Sequence, residues 1–303
     1  MWTPKLLMMN GELVPFADAR LHPLSLAVTY ATTVFEGVRA YHVEKTGQFA
    51  LFRLDEHMRR LQVGMKLLRM DRSYDTQYML ESLTKLIRAN EPDSDVYVRL
   101  LVYVEGTGLM ATTGPVGFTA AAMPREQPKF AETGMSLGVS SWHRLDDNAS
   151  PPRIKSTANY HNARLAALQA KSDGYDGALM LTAGGKVSES PIACFFMVRD
   201  GQLITPSKSS GILESITRDT IITRYRELTG KQVEERVIDR SELYFADEAF
   251  LCGTGQEIIP VVKIDRFAVG DGAVGPLTRK LSQDYFDLVR GINAEHSEWR
   301  TLI

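Results

Sequence analysis

Arg153-Ile154-Lys155-Ser156-Thr157-Ala158-Asn159-Tyr160 is the stretch on which the reading of this chain turns, together with Val187-Ser188-Glu189 about one supersecondary unit further on. A lysine amine is a nucleophile only when neutral, so a lysine used in chemistry must be desolvated or set near positive charge. The residues after Lys155 are small or polar and leave room for a ligand, and Tyr160 can bring its hydroxyl near the amine. Glu189 follows the turn Ala183-Gly184-Gly185-Lys186 and lies between apolar stretches. A carboxylate buried there requires a partner. Singly, each residue has an ordinary explanation: a solvated lysine, a helix start with Tyr160 packed inward, a loop glutamate. The combination is what directs attention to a site.

Outward from this stretch, short strands and helices alternate. Residues 48–52 read as a strand, and residues 54–68 as an amphipathic helix with Leu54, Met58, Leu61, Met65 and Leu68 on one face. A helix over 76–89 ends before Glu91-Pro92, and 96–104, rich in β-branched and aromatic residues, is the clearest strand. Pro124-Arg125-Glu126-Gln127-Pro128-Lys129 interrupts the pattern and reads as a linker. Beyond it the spacing predicts a helix over 160–171 and strands at 177–182 and 193–198. A helix over 215–228 is stopped by Gly230, a strand at 249–252 runs into Gly253-Thr254-Gly255, and Pro276 opens a helix to about residue 291. The class is mixed α+β. The expected partition is an N-terminal domain over 1–123, an interdomain loop over 124–134 and a C-terminal domain over 135–303 carrying Lys155.

Composition narrows the function classes. The 303 residues suffice for two domains, and 44% apolar with 24% charged residues is ordinary for a globular protein. A net charge of −2 from 35 basic and 37 acidic residues, with no block of like charge, gives no electrostatic support to nucleic-acid or membrane-surface roles. No stretch approaches the length of a membrane span, and the first apolar run is too short for a signal peptide. Cys194 and Cys252, the only two cysteines, lie in apolar strand-like segments and read as reduced, buried thiols in a cytoplasmic protein. No metal is expected.

A lysine, a tyrosine hydroxyl and a later buried carboxylate suit pyridoxal phosphate, which needs a Schiff-base amine, a donor to its ring oxygen, a carboxylate on its ring nitrogen and a phosphate cradle. Ser215-Ile216-Thr217-Arg218-Asp219 opens a helix whose N–H groups and Thr217 hydroxyl suit a phosphate. The same residues equally suit an ordinary N-cap. Gly253-Thr254-Gly255 allows backbone to approach a ligand closely. Arg60, beside Arg59 on the first long helix, supplies a bidentate donor, although a lone helical arginine is usually a surface residue.

With these pieces assembled, the chain resembles the fold-type IV pyridoxal phosphate enzymes, and within them the branched-chain amino acid aminotransferases, over nearly its whole length. The resemblance rests on Val34-Phe35-Glu36-Gly37-Val38-Arg39, Arg53-Leu54-Asp55-Glu56-His57-Met58-Arg59-Arg60-Leu61, Tyr97-Val98-Arg99 and the Lys155 segment. It continues through Val187-Ser188-Glu189, Ile216-Thr217-Arg218-Asp219, and Ala246-Asp247-Glu248 with Gly253-Thr254. It implies a two-domain fold like that of D-amino acid aminotransferase. Lys155 would hold the cofactor and then shuttle the substrate α-proton. Glu189 would pair with the ring nitrogen and Tyr160 with the ring oxygen, while Leu213 packs against the ring. Arg60, Ile216, Thr217 and Thr254 would bind the phosphate.

On the substrate side the resemblance implies that Tyr97 and Arg99, which alternate by two and so share a strand face, bind carboxylates. Tyr30 and Phe35 would line the side-chain pocket, with Thr254 and Gly255 also meeting substrate. The implied reaction is ping-pong exchange of an amino group between leucine, isoleucine or valine and 2-oxoglutarate, serving branched-chain amino acid biosynthesis. The implied assembly is a homodimer or higher homo-oligomer, with the neighbouring subunit completing the pocket.

The chain departs from the family's commonest pattern at Ser190-Pro191-Ile192-Ala193-Cys194, Glu214-Ser215 and Glu105-Gly106-Thr107-Gly108-Leu109-Met110, and in lacking a tryptophan near Pro124-Arg125. These departures bear on substrate range rather than on cofactor chemistry. Transaminases of D-amino acids or of (R)-amines share the fold, as does an aminodeoxychorismate lyase, and the Tyr97–Arg99 pair argues against all three. A scaffold that binds the cofactor without turnover is the non-enzymatic alternative. Retention of Lys155, Glu189, Tyr160 and Arg60 together speaks against it.

Overall fold

The computed structural model describes residues 3–44, 46–125 and 130–303. The chain forms two compact units: Met1–Glu126 with Ile154–Ala158 and Asp287–Ile303, and Gln127–Arg153 with Asn159–Phe286.

The first unit opens with the hairpin β1 (Leu6–Met9) and β2 (Glu12–Pro15) and the single turn α1 (Leu26–Thr29). There follow β3 (Thr33–Val43), β4 (Gln48–Phe52), α2 (Leu54–Leu67), α3 (Thr76–Asn90), β5 (Val96–Val104) and β6 (Val116–Pro124). Among the described residues they build an antiparallel seven-stranded sheet in the order β15-β4-β3-β5-β6-β1-β2, in which β15 is Arg300–Leu302. Alternation decides its faces. Val34, Val38 and Ala40 of β3, Val96, Val98, Leu100 and Val102 of β5 and Phe118 and Ala120 of β6 enter one core. Leu54, Met58, Leu61 and Met65 of α2 and Met79, Leu83, Leu86 and Ile87 of α3 meet them there. Each such Leu, Ile or Met contributes roughly 1.5–3 kcal/mol by leaving water. The intervening residues, Phe35, Gly37 and Arg39 of β3 and Tyr97, Arg99 and Tyr103 of β5, share the opposite face.

Local chemistry sets the helix ends. Asp75 caps α3, its carboxylate accepting from the Tyr78 N–H at 2.7 Å. Helix α2 follows Arg53, held in the left-handed region (φ 53°), whose N–H donates to the Trp299 carbonyl at 2.7 Å.

The second unit contains β7 (Met135–Val139), α4 (Thr157–Ser172, whose first two residues belong to the first unit), β8 (Gly177–Leu179), β9 (Cys194–Arg199), β10 (Gln202–Pro206) and α5 (Ile216–Thr229). It continues with β11 (Glu234–Arg236), β12 (Glu248–Gly253), β13 (Glu257–Ile264), β14 (Phe267–Ala268) and α6 (Pro276–Val289), the last running into residues of the first unit. Its sheet is mixed, in the order β11-β10-β9-β12-β13-β7-β8 with β14 beside β13. The central strands β9 and β12 are buried almost throughout, and they read as near-continuous apolar runs for that reason. Ser215 caps α5, and Gly230 ends it with φ 70°.

The units depart from the contiguous partition 1–123 and 135–303 expected from the sequence. Lys155 falls in the first unit: Ile154 is buried in that unit's core, the Phe35 N–H donates to the Lys155 carbonyl at 2.9 Å, and Val34 and Ser156 form an antiparallel bridge. Residues 287–303 fall there too, because β15 pairs with β4. Of the expected linker, residues 126–129 lie outside the described residues.

Candidate active site

In the first unit the site grows from the register of β3 on β5, which pairs Phe35 with Leu101, Gly37 with Arg99 and Arg39 with Tyr97. Phe35, Tyr97 and Arg99 are thereby brought to one face. Gly37 is needed for this. A Cβ there would lie 2.5 Å from Tyr97 Cζ and 2.7 Å from Cε2, so the ring rests directly on the glycine. The Arg99 guanidinium lies 5.9 Å from the Tyr97 ring centroid. Lys155 is stitched beside Phe35 through the backbone, and its Nζ lies 4.7 Å from the Phe35 ring centroid. Tyr30 ends α1 and is 46% exposed.

Arg60 sits on α2, on the helix side of the sheet. Its Nε and Nη2 donate to Glu36 Oε1 and Oε2, both at 2.7 Å, and His57 Nδ1 lies 2.7 Å from Oε2. Glu36 and His57 are buried among Val34, Val38 and Met58. Burial alone would raise the Glu36 carboxyl, but the charge and hydrogen bonds of Arg60, aided by His57, bring it down to about 2. Burial lowers the His57 imidazole, with the positive charges of Arg60 and Lys155 acting in the same direction against Glu36. His57 is therefore neutral, and the ionised carboxylate accepts its Nδ1–H.

In the second unit Glu189 is buried, and its partner in the protein is Arg144, whose Nη2 lies 2.6 Å from Oε1. The same oxygen accepts the Leu213 N–H at 3.1 Å, while the Cys194 thiol lies 3.6 Å from Oε2. Arg144 is anchored in turn: its Nε donates to the Gly211 carbonyl at 3.1 Å and its N–H to the Leu181 carbonyl at 2.7 Å. Burial, then the Glu189 charge, push the Cys194 thiol up to about 12. Cys194 and Cys252 are free and buried, and they stand opposite each other in the register of β9 on β12.

The N-terminus of α5 lies in the same neighbourhood, since the Leu213 carbonyl accepts from Cys194 at 3.6 Å. The Ser215 hydroxyl accepts the Arg218 N–H at 3.3 Å. Ile216 and Thr217, both buried, hold first-turn N–H groups that no carbonyl of their own helix can accept. Thr254 and Gly255 form the turn between β12 and β13, and Tyr160 stands in the first turn of α4. That helix begins at Thr157, three residues before the expected start.

Sequence reasoning missed Arg144, Glu36 and His57 as participants. Glu36 and His57 stood inside quoted motifs, and the i, i+3 spacing of His57 and Arg60 was a usable signal. Arg144 lies in a loop with no periodicity, and nothing local marks it.

An amine-bearing Lys155 beside an aromatic and arginine-bearing sheet face, and a buried carboxylate beside a donor-rich helix N-terminus, define a class of protein. The chain belongs to the amino-transferase class IV family, whose model matches residues 33–264. More particular relatives agree. The probable branched-chain-amino-acid aminotransferase of Aquifex aeolicus is 37% identical over 296 residues, covering 96% of this chain and 94% of its own. The branched-chain amino acid aminotransferase of Thermobaculum terrenum, solved in its PLP holo-form, superposes with a TM-score of 0.93 at 41% identity over 99% of this chain and 98% of that one. The branched-chain aminotransferase of the archaeon Thermoproteus uzoniensis, solved with norvaline, gives 0.93 at 35% identity over 99% of both chains. Among the described residues no helix is long and apolar enough to cross a membrane.

Proposed function

We propose that this chain is a pyridoxal phosphate-dependent aminotransferase that exchanges the amino group of L-leucine, L-isoleucine or L-valine with 2-oxoglutarate in two half-reactions. The observation that carries the reading is the face shared by Phe35, Tyr97 and Arg99, with Lys155 tied by its backbone to Phe35. One pocket must accept an apolar side chain in one half-reaction and a charged one in the other. Aromatic walls serve the first demand and a single arginine serves the second. The branched-chain names of the relatives support the same substrate class.

The residues fit the cofactor. When bound, pyridoxal phosphate supplies the carbonyl that takes up the amino group and the ring that delocalises the electrons of the deprotonated substrate. Lys155 would provide the amine that holds the cofactor, and it would accept and return the substrate α-proton. Glu189, which faces Arg144 and accepts the Leu213 N–H, is the carboxylate suited to holding a proton on the ring nitrogen. Tyr160 would donate to the ring oxygen, and Leu213 would pack on the ring. Arg60, Thr254 and the amides of Ile216 and Thr217 would donate to the phosphate. Tyr30, Phe35 and Gly255 line the substrate.

The assembly we infer is a homodimer working in the cytoplasm. Leu24, Val28, Leu109 and Met110 are exposed on the first unit, where the Leu26 N–H donates to the Gly106 carbonyl and ties the two segments together. An apolar patch of this kind marks a surface for association, and sedimentation of the purified protein at twice its chain mass is the expected result.

The deciding experiment is the absorbance spectrum of the cofactor-loaded protein before and after L-leucine, with no keto acid present. Loss of the lysine-bound cofactor band with rise of the aminated-cofactor band is expected. A band unmoved by L-leucine but bleached by a D-amino acid or an (R)-amine would overturn the substrate assignment.

A further inference from the structure

We propose that Glu36 and His57 are positioning residues for the phosphate of the cofactor, acting through Arg60. The inference rests on the reading of Arg60 as a phosphate donor made above.

Glu36 alternates with Phe35 and Gly37, so it points away from the face that carries Tyr97 and Arg99. Its neighbours on that side, Val34 and Val38, belong to the apolar core. A carboxylate in such a place is costly unless hydrogen-bonded throughout. Here it accepts from two nitrogens of one guanidinium and from an imidazole. The fork fixes the plane of the guanidinium, because Nε and one proton of Nη2 are spent on two oxygens of a single rigid group. With that edge held, the guanidinium keeps one orientation towards any second anion. His57, one turn before Arg60 on α2, grips Oε2 and keeps the carboxylate from turning with the arginine.

The charges make the inference sharp. Glu36 offsets the charge of Arg60, so if Arg60 drew the phosphate merely as a point charge, removing the carboxylate would tighten binding. If Arg60 acts as an oriented donor, removing or shortening the carboxylate loosens it.

The test strips cofactor from the full chain, from Glu36→Gln, Glu36→Asp and Arg60→Met. Each is titrated with pyridoxal phosphate and, separately, with pyridoxal, which lacks the phosphate. Both Glu36 variants are expected to weaken pyridoxal phosphate at least about tenfold while pyridoxal changes by less than about twofold. Unchanged or tighter binding of pyridoxal phosphate overturns the inference, and so does equal weakening of both compounds, the signature of a purely structural role. Arg60→Met separates the two levels. If it leaves the preference for the phosphorylated compound intact, the reading of Arg60 fails; if it abolishes the preference while the Glu36 variants keep it, only the inference fails. Should Glu36→Gln not fold, Glu36→Asp and His57→Asn decide by the same ratio.

Discussion

Gly37→Ala tests how closely the substrate face is built. The new methyl would stand 2.5 Å from Tyr97 Cζ and closer still to its Oη, and ordinary van der Waals contact begins at 3.4 Å, so the side chain must retreat by at least about 0.9 Å (3.4 − 2.5). Tyr97 is only half-buried, so its ring can swing towards solvent without opening the core behind Val38 and Val98. Alanine also removes the entropic cost of glycine in a strand, roughly 0.5–1 kcal/mol, which offsets the strain. Stability should therefore hold, with Tm moving by no more than about 3 °C. Activity should not. A displacement near 1 Å at a positioning group costs on the order of a hundredfold, or about 2.7 kcal/mol, in kcat/KM. The assay is leucine transamination to 2-oxoglutarate, run in the wild-type and Tyr97→Ala backgrounds. Once Tyr97 is gone, the methyl has nothing to strike, so Gly37→Ala should add little to Tyr97→Ala. An equal loss in both backgrounds, or wild-type kinetics for Gly37→Ala alone, would refute the packing argument.

Three further outcomes are expected. Lys155→Ala should abolish turnover and the visible band of the lysine-bound cofactor while keeping the wild-type circular dichroism spectrum; residual transamination would remove Lys155 from its role. Glu189→Gln should keep cofactor yet lose most activity, and it should also lower Tm, because Arg144 is left with a buried charge worth roughly 3–5 kcal/mol when its partner goes. Undiminished turnover in that variant counts against the ring-nitrogen role. Acid should destabilise the chain through Glu36. Its carboxyl is depressed from 4.5 to about 2, so its contribution, on the order of 3 kcal/mol, is present above pH 4.5 and lost as pH falls towards 2. Thermal melts should show a steeper acid limb for wild type than for Glu36→Gln, and parallel limbs would contradict the assignment.

Elements with strong periodicity were legible in the sequence. Helices α2 and α3 and strands β4 and β5 lie within a residue or so of the positions their apolar spacing predicts, and Ser215 and Gly230 mark the ends of α5. Short elements were not. The strand expected over 177–182 stops at Leu179, because Met180 turns to bond Ser188 and Glu189 instead of a neighbouring strand. Strand β3 was visible only as a motif, since the charged Glu36 and Arg39 interrupt a run that is in fact buried almost throughout. The residues proposed to meet the cofactor were named because their chemistry is unusual. Their supports escaped because pairs such as Glu36 with Arg60 and Arg144 with Glu189 depend on contacts far apart in the chain.

The pairing of β15 with β4 bears on how the protein is made. Arg300, Thr301 and Leu302 lie opposite Phe52, Leu51 and Ala50, and the Ile303 N–H donates to the Phe49 carbonyl at 2.9 Å. The edge of the first sheet thus waits on residues translated some 250 positions later, and Ile154 enters the same core only midway. A nascent chain arrested before residue 287 should present a frayed first unit to proteases. Loop closure over such spans delays folding, so the ribosome-bound intermediate is a natural client for chaperones.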